Sequence, residues 1–275
     1  MSTDTWDPTQ YLRYAGYRGR PFHDLVDRVP TTPERVVDLG CGPGNTTATL
    51  PQRWPDARIT GVDNSPAMIE QARRDYPGIR FESGDIREYR PDADLILSNA
   101  ALQWVPGHTG LFPGWIDALP LGGVLAFQVP GNFDAPAHSL LAGLKDTPRW
   151  SGLITDVHVP AVREPADYLQ RLADLGCAVD TWETTYYQLL TGPGDGPGGP
   201  VLDWMLGTGL RPALAALTDP ADREQFLAEY GALLTRAYPA TPHGTVLPYR
   251  RIFVVAVRTA VRTTFKTTVK TAARD

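Results

Sequence analysis

The run Val36-Val37-Asp38-Leu39-Gly40-Cys41-Gly42-Pro43-Gly44 constrains this chain more than any other segment. An apolar stretch interrupted by a single aspartate reads as a buried strand, and three glycines at alternate positions then turn the backbone into a helical pattern. Glycines at such a bend permit a tight turn and a close approach of main chain to ligand. A dinucleotide pyrophosphate calls for G-x-G-x-x-G and a helix start aimed at phosphate. Here the glycines fall as G-x-G-x-G, and Asn45 stands where the other pattern wants Gly or Ala. Asp38 sets a carboxylate just ahead of the loop, where it can accept from an ammonium group. Both features favour a cofactor with a cationic amino-acid end.

The surrounding pattern predicts an α/β fold. Short apolar segments at 35–39, 58–62, 80–83, 94–97 and 124–129 read as strands, and segments near 45–53, 66–75 and 109–118 read as helices. Ser65 and Pro66 form a good helix start. Strands alternating with helices imply a mostly parallel, Rossmann-like sheet flanked by helices. An amphipathic helix at 8–28 precedes it, with Tyr11, Leu12, Ala15, Phe22, Leu25 and Val26 as its apolar set. Later segments predict helices near 134–145, 165–175, 201–206, 212–217 and 220–237, and strands at 177–188 and 251–257. The run GPGDGPGGP at 192–200 reads as a surface loop.

One domain is expected over 1–257: the N-terminal helix, a cofactor half at 34–130, and a helical substrate cap mainly at 131–175 and 189–248. A basic tail at 258–275 carries Arg258, Arg262, Lys266, Lys270 and Arg274 at every fourth position. Its threonines favour a frayed terminus over an amphipathic helix on an anionic surface. The net charge of −5 argues against nucleic acid as partner. The two distant cysteines, a start without signal-peptide character and the lack of an apolar run near ~20 residues point to a cytosolic protein with no integral membrane contact.

Two further acidic residues follow strands in order. Asp63 ends Ile59-Thr60-Gly61-Val62-Asp63, where a carboxylate can take both ribose hydroxyls. Asp85, in Gly84-Asp85-Ile86, is placed to accept from an adenine amino group, with Ile86 against the ring. Together with the glycine loop these segments resemble the class I S-adenosylmethionine-dependent methyltransferases over roughly residues 34–130. The resemblance implies S-adenosylmethionine as cofactor, no metal, and contacts from Asp38, Gly40, Gly42, Gly44, Asp63, Asn64, Met68, Asp85, Ile86 and Asn99.

A narrower resemblance covers most of the chain. Trp6-Asp7-Pro8, Arg18-Gly19-Arg20-Pro21, Asp63 to Ile69, Ser98-Asn99-Ala100-Ala101-Leu102-Gln103-Trp104, Thr184-Thr185-Tyr186-Tyr187 and Thr208-Gly209-Leu210-Arg211-Pro212 look like the trans-aconitate 2-methyltransferase family. That family esterifies a carboxylate of trans-aconitate, so a polycarboxylate small molecule is the expected partner. Arginine pairs bidentately with carboxylate, which makes Arg211, Arg250, Arg251 and Arg20 the candidate anion donors. Tyr186, Tyr187, Gln128 and Asn132 are candidate neutral donors, and Trp104 and Gln103 a candidate wall of the methyl site. Arg250 and Arg251, and likewise Tyr186 and Tyr187, face opposite ways if both lie in strands. Two alternatives stay open: another small-molecule acceptor, or a nicotinamide-dependent oxidoreductase, against which the Gly44-Asn45 spacing speaks.

Overall fold

The computed structural model describes residues 15–155, 162–191 and 198–260. Its centre is a seven-stranded sheet of order β3-β2-β1-β4-β5-β7-β6. The strands are β1 (Arg35–Leu39), β2 (Arg58–Asp63), β3 (Arg80–Ser83), β4 (Leu95–Asn99), β5 (Val124–Pro130), β6 (Cys177–Leu190) and β7 (Thr245–Arg258). β1 to β5 run parallel, while β7 lies antiparallel between β5 and β6.

The helices are α1 (Ala15–Val26), α2 (Leu50–Arg53), α3 (Pro66–Asp75), α4 (Phe112–Ala118), α5 (Pro136–Lys145), α6 (Pro165–Asp174), α7 (Gly199–Leu206), α8 (Arg211–Ala216) and α9 (Pro220–Ala237). Among the described residues, no helix is long and apolar enough to cross a membrane.

The central strands are nearly continuous apolar runs because both faces are covered. Leu95, Leu97, Val124, Ala126, Phe253 and Val255 pack with Phe22, Leu25 and Val26 of α1. The intervening Ile96, Leu125, Phe127 and Val254 pack with Phe112, Trp115 and Ile116 of α4 and Tyr168 and Leu172 of α6. A separate apolar cluster gathers α5, α7, α8 and α9, with Trp150, Trp204, Phe226 and Tyr230 among its members. Each of those four side chains is shielded from solvent, so these helices share a core of their own beside the sheet.

Several boundaries differ from the sequence pattern. β6 runs on to Leu190, and β7 begins at Thr245 rather than Arg251. Pro248 interrupts the strand pattern but is tolerated, because β7 pairs with β5 only from Arg251 onward and the preceding residues have β6 alone as neighbour. The helical stretch near 45–53 splits into a 3₁₀ turn at Thr47–Thr49 and α2, and that near 109–118 into a 3₁₀ turn at His108–Leu111 and α4. Gly199 and Pro200, which belong to the Gly/Pro run that predicts a loop, open α7. Arg258, the first of the basic residues at every fourth position, closes β7 and donates to the carbonyls of Asp117 and Leu119. The first part of the 8–28 helix, most of the 192–200 loop, and 261–275 of the basic tail lie outside the described residues.

Candidate active site

β1 sits where the sheet order reverses, with β2 on one side and β4 on the other. Open α/β sheets bind ligands outside the carboxyl ends of strands at such a point. A cleft of about 280 Å³ lies there, lined from the glycine loop, the ends of β2 and β4, and the turn after β3.

The loop is bolted to β2 by Gly40 N and Cys41 N, which both donate to the Val62 carbonyl at 2.7 and 3.1 Å. Its glycines do different work. Gly40 and Gly42 line the cleft, both with positive φ, and a Cβ on Gly42 would project into open space. Gly44 also has positive φ but does not line the cleft: a Cβ there would sit 2.7 Å from the Phe81 ring. Its smallness lets the loop settle on β3.

Asp63 lines the cleft with its carboxylate oriented by two backbone donors, Gly42 N on Oδ2 and Ser65 N on Oδ1, both at 2.9 Å. Asn64 and Met68 follow on the same wall, where Ser65 caps α3 through Met68 N. Asp85 and Ile86 line the cleft as well, together with Arg87. Asp38 lies off the lining, buried beneath the loop, where Thr47 Oγ1 donates to its Oδ2 at 2.6 Å. Burial pushes its carboxyl up to about 6, with the Thr47 hydrogen bond opposing and the Asp63 charge adding to the rise. Its ionised form therefore gains from any cation brought close to the loop.

Beyond β4 the backbone takes an uncommon turn. Ala100 has φ of 53°, a left-handed conformation that costs an alanine about 1–2 kcal/mol. Two hydrogen bonds hold it: Ala100 N donates to Gln128 O at 2.9 Å, and Gln103 Nε2 donates to Ala100 O at 2.6 Å. Gln103 is thus a buried clamp on the turn. Asn99, Ala101 and Trp104 line the cleft, and Asn99 Oδ1 is buried without a hydrogen-bond partner.

A polar floor continues from there. Asn99 pairs with Gln128 across β4 and β5, and strand alternation puts both on the face toward α1. Gln128 Oε1 accepts from Arg251 Nη1 at 2.9 Å, and the Arg251 guanidinium lies 4.7 Å from the centre of the Tyr249 ring. Gln128, Asn132 and Arg251 are all buried, yet Gln128 Nε2 and Asn132 Oδ1 have no partner. Buried amides are normally satisfied, so this floor suits a polar ligand.

The remaining candidates separate. Arg250 turns to the other face, where Glu164 and Glu183 hold its guanidinium and Gly131 O accepts at 3.1 Å. These carboxylates neutralise it and stabilise its charge, so Arg250 is a structural tie and no open anion donor. Tyr186 is buried and donates to Asp24 at 2.5 Å, with Arg20 over its ring at 5.0 Å. Burial and Asp24 push the Tyr186 phenol up, while the charges of Arg251 and Arg20 act against this. Tyr187 is 75% exposed and away from the floor. Arg211 is half-buried at the start of α8, with Nε donating to Leu206 O at 3.2 Å.

Cleft and floor together can hold an adenosyl group with an amino-acid end beside an anionic acceptor. The carboxylate at the end of β2, the apolar Met68 and Ile86, the unpartnered Asn99 acceptor and the buried Asp38 all fit S-adenosylmethionine. Among the described residues no cluster of three or more His, Cys, Asp or Glu is arranged to hold a metal.

Comparisons with known proteins agree. A family model described as a methyltransferase domain matches residues 36–123. The YcgJ protein from Bacillus subtilis shares the fold, with a TM-score of 0.55 and 14% identity over 88% of this chain and 99% of its own. The trans-aconitate 2-methyltransferase of Streptomyces coelicolor is 55% identical, covering 92% of this chain and 86% of the relative. That of Streptomyces avermitilis is 52% identical, covering 93% and 98%. Identity of this order along nearly the whole length shows that the chain belongs to the trans-aconitate 2-methyltransferase family, built on the class I methyltransferase fold.

Proposed function

We propose that this protein transfers the methyl group of S-adenosylmethionine to a carboxylate of trans-aconitate, giving a monomethyl ester and S-adenosylhomocysteine. The observation that carries this reading is a polar floor centred on Arg251 and Gln128 next to a methyltransferase cofactor cleft. The names of the relatives supply the acceptor.

When bound, S-adenosylmethionine supplies a sulfonium methyl open to in-line displacement. Asp63 takes the ribose hydroxyls, Asp85 and Ile86 the adenine, and Gly40, Gly42, Asn64, Met68 and Asn99 complete the cleft. Asp38 acts from below the loop by its charge. Arg251, with Gln128 and Asn132, holds a carboxylate of the acceptor. Arg20 and Arg211 close on its remaining charges, and Trp104 walls the methyl site. Residues 34–130 then form the cofactor half and 131–175 with 189–248 the cap, within one cytosolic domain over 1–257.

An acceptor carboxylate is already ionised near neutral pH, so no general base is required. Alignment of oxygen, methyl and sulfur can by itself supply about 7–11 kcal/mol. At saturating substrates, kcat is therefore expected to be flat between about pH 7 and 8.5, above the range in which Asp38 titrates. A steady-state profile that rises tenfold per pH unit in this window would show an essential base and contradict the mechanism.

A further inference from the structure

Asp85 is not free to receive a nucleobase as it stands. Its Oδ1 accepts from Arg87 N at 2.8 Å and from Arg87 Nε at 3.0 Å. Its Oδ2 accepts from the same Nε at 3.0 Å and from Arg87 Nη2. A carboxylate offers about four acceptor positions, and here one residue engages both oxygens. The two side chains differ in freedom: that of Arg87 is 63% exposed and that of Asp85 26% exposed. The guanidinium can swing into solvent, whereas the carboxylate remains a wall of the cleft beside Ile86. The backbone bond from Arg87 N would stay behind and keep Oδ1 oriented.

We infer that Arg87 is a built-in competitor for the adenine subsite, whose guanidinium must leave Asp85 before the exocyclic amino group of adenine can bind there. The inference rests on the cofactor reading above and deepens it. Arg87 then sets how tightly the cleft holds adenosine ligands and how far it prefers adenine to a base lacking the amino group. Exposed ion pairs of this kind are worth a factor of about two to five in an equilibrium, and salt weakens them. A hypoxanthine base presents a keto oxygen at that position and has no amino group to gain from a vacated carboxylate.

The test is isothermal titration of the full chain and its Arg87→Ala variant with S-adenosylhomocysteine and with S-inosylhomocysteine. Arg87→Ala is expected to bind S-adenosylhomocysteine about two- to fivefold more tightly at low salt, with the gain shrinking near 0.5 M salt. It should bind the inosine analogue no more tightly than the wild type does. In an Asp85→Ala background, removing Arg87 should bring no gain. Unchanged or weaker binding of S-adenosylhomocysteine by Arg87→Ala would overturn the inference and make Arg87 a bystander or a direct contact. An equal gain for both nucleosides would overturn it as well, since the effect would then bypass the amino group. A wild-type chain that bound neither compound would sink the cofactor reading itself, and this inference with it.

Discussion

Asp63→Ala is expected to weaken S-adenosylhomocysteine binding by about 1.5–3 kcal/mol, roughly 10- to 150-fold, the scale of hydrogen bonds to a charged group. The loss has two sources. One is the carboxylate that takes the ribose hydroxyls. The other is the anchor for Gly42 N and Ser65 N, which hold the glycine loop and the start of α3 in register. Asp63→Asn separates them: it keeps the shape but turns one acceptor into a donor that faces a backbone N–H. Its affinity should fall between wild type and alanine. Isothermal titration checks both variants, and wild-type affinity in Asp63→Ala would remove the residue from the cofactor site.

Arg251→Met is expected to raise the KM for trans-aconitate by 100-fold or more, while S-adenosylhomocysteine affinity stays within about twofold. Breaking a buried charge pair by removing one partner costs about 3–5 kcal/mol. Here the pair forms when the acceptor carboxylate meets the guanidinium of a residue that is only 3% exposed. Methionine is long and flexible enough to fill the volume, so the chain should still fold, although Gln128 Oε1 loses its donor. Arg251→Lys should recover little, because an ammonium cannot reproduce the planar fork. Steady-state kinetics with a parallel cofactor titration test this. An unchanged KM would move the acceptor to Arg211 or Arg20.

What the sequence made legible was whatever local pattern encodes. β1, β3, α3 and α9 have the bounds that apolar periodicity and caps predict. The strand-end acids Asp63 and Asp85 do line the cleft. What stayed hidden depends on residues far apart in the chain. Arg250 and Arg251 are adjacent arginines in sequence, but only the distant Glu164 and Glu183 show that the first is neutralised. The third glycine of the loop looks like the other two until Phe81 is found against it. Nothing about an alanine signals the left-handed turn at Ala100, which Gln103 and Gln128 impose from outside. Pro248 concealed the first half of β7, since its tolerance there follows from where β5 ends. Arg87 escaped notice because an arginine two residues after an aspartate is an ordinary surface pair unless the aspartate lines a cleft.

The anionic acceptor and the cofactor meet at the carboxyl edge of one sheet, and the product is an ester. The most direct measurement is transfer of labelled methyl from S-adenosylmethionine to trans-aconitate, with cis-aconitate, isocitrate and citrate run beside it. Trans-aconitate is expected to be labelled efficiently, with the label released when mild base hydrolyses the ester. Absence of labelled trans-aconitate from a chain that still binds S-adenosylhomocysteine would contradict the proposed function.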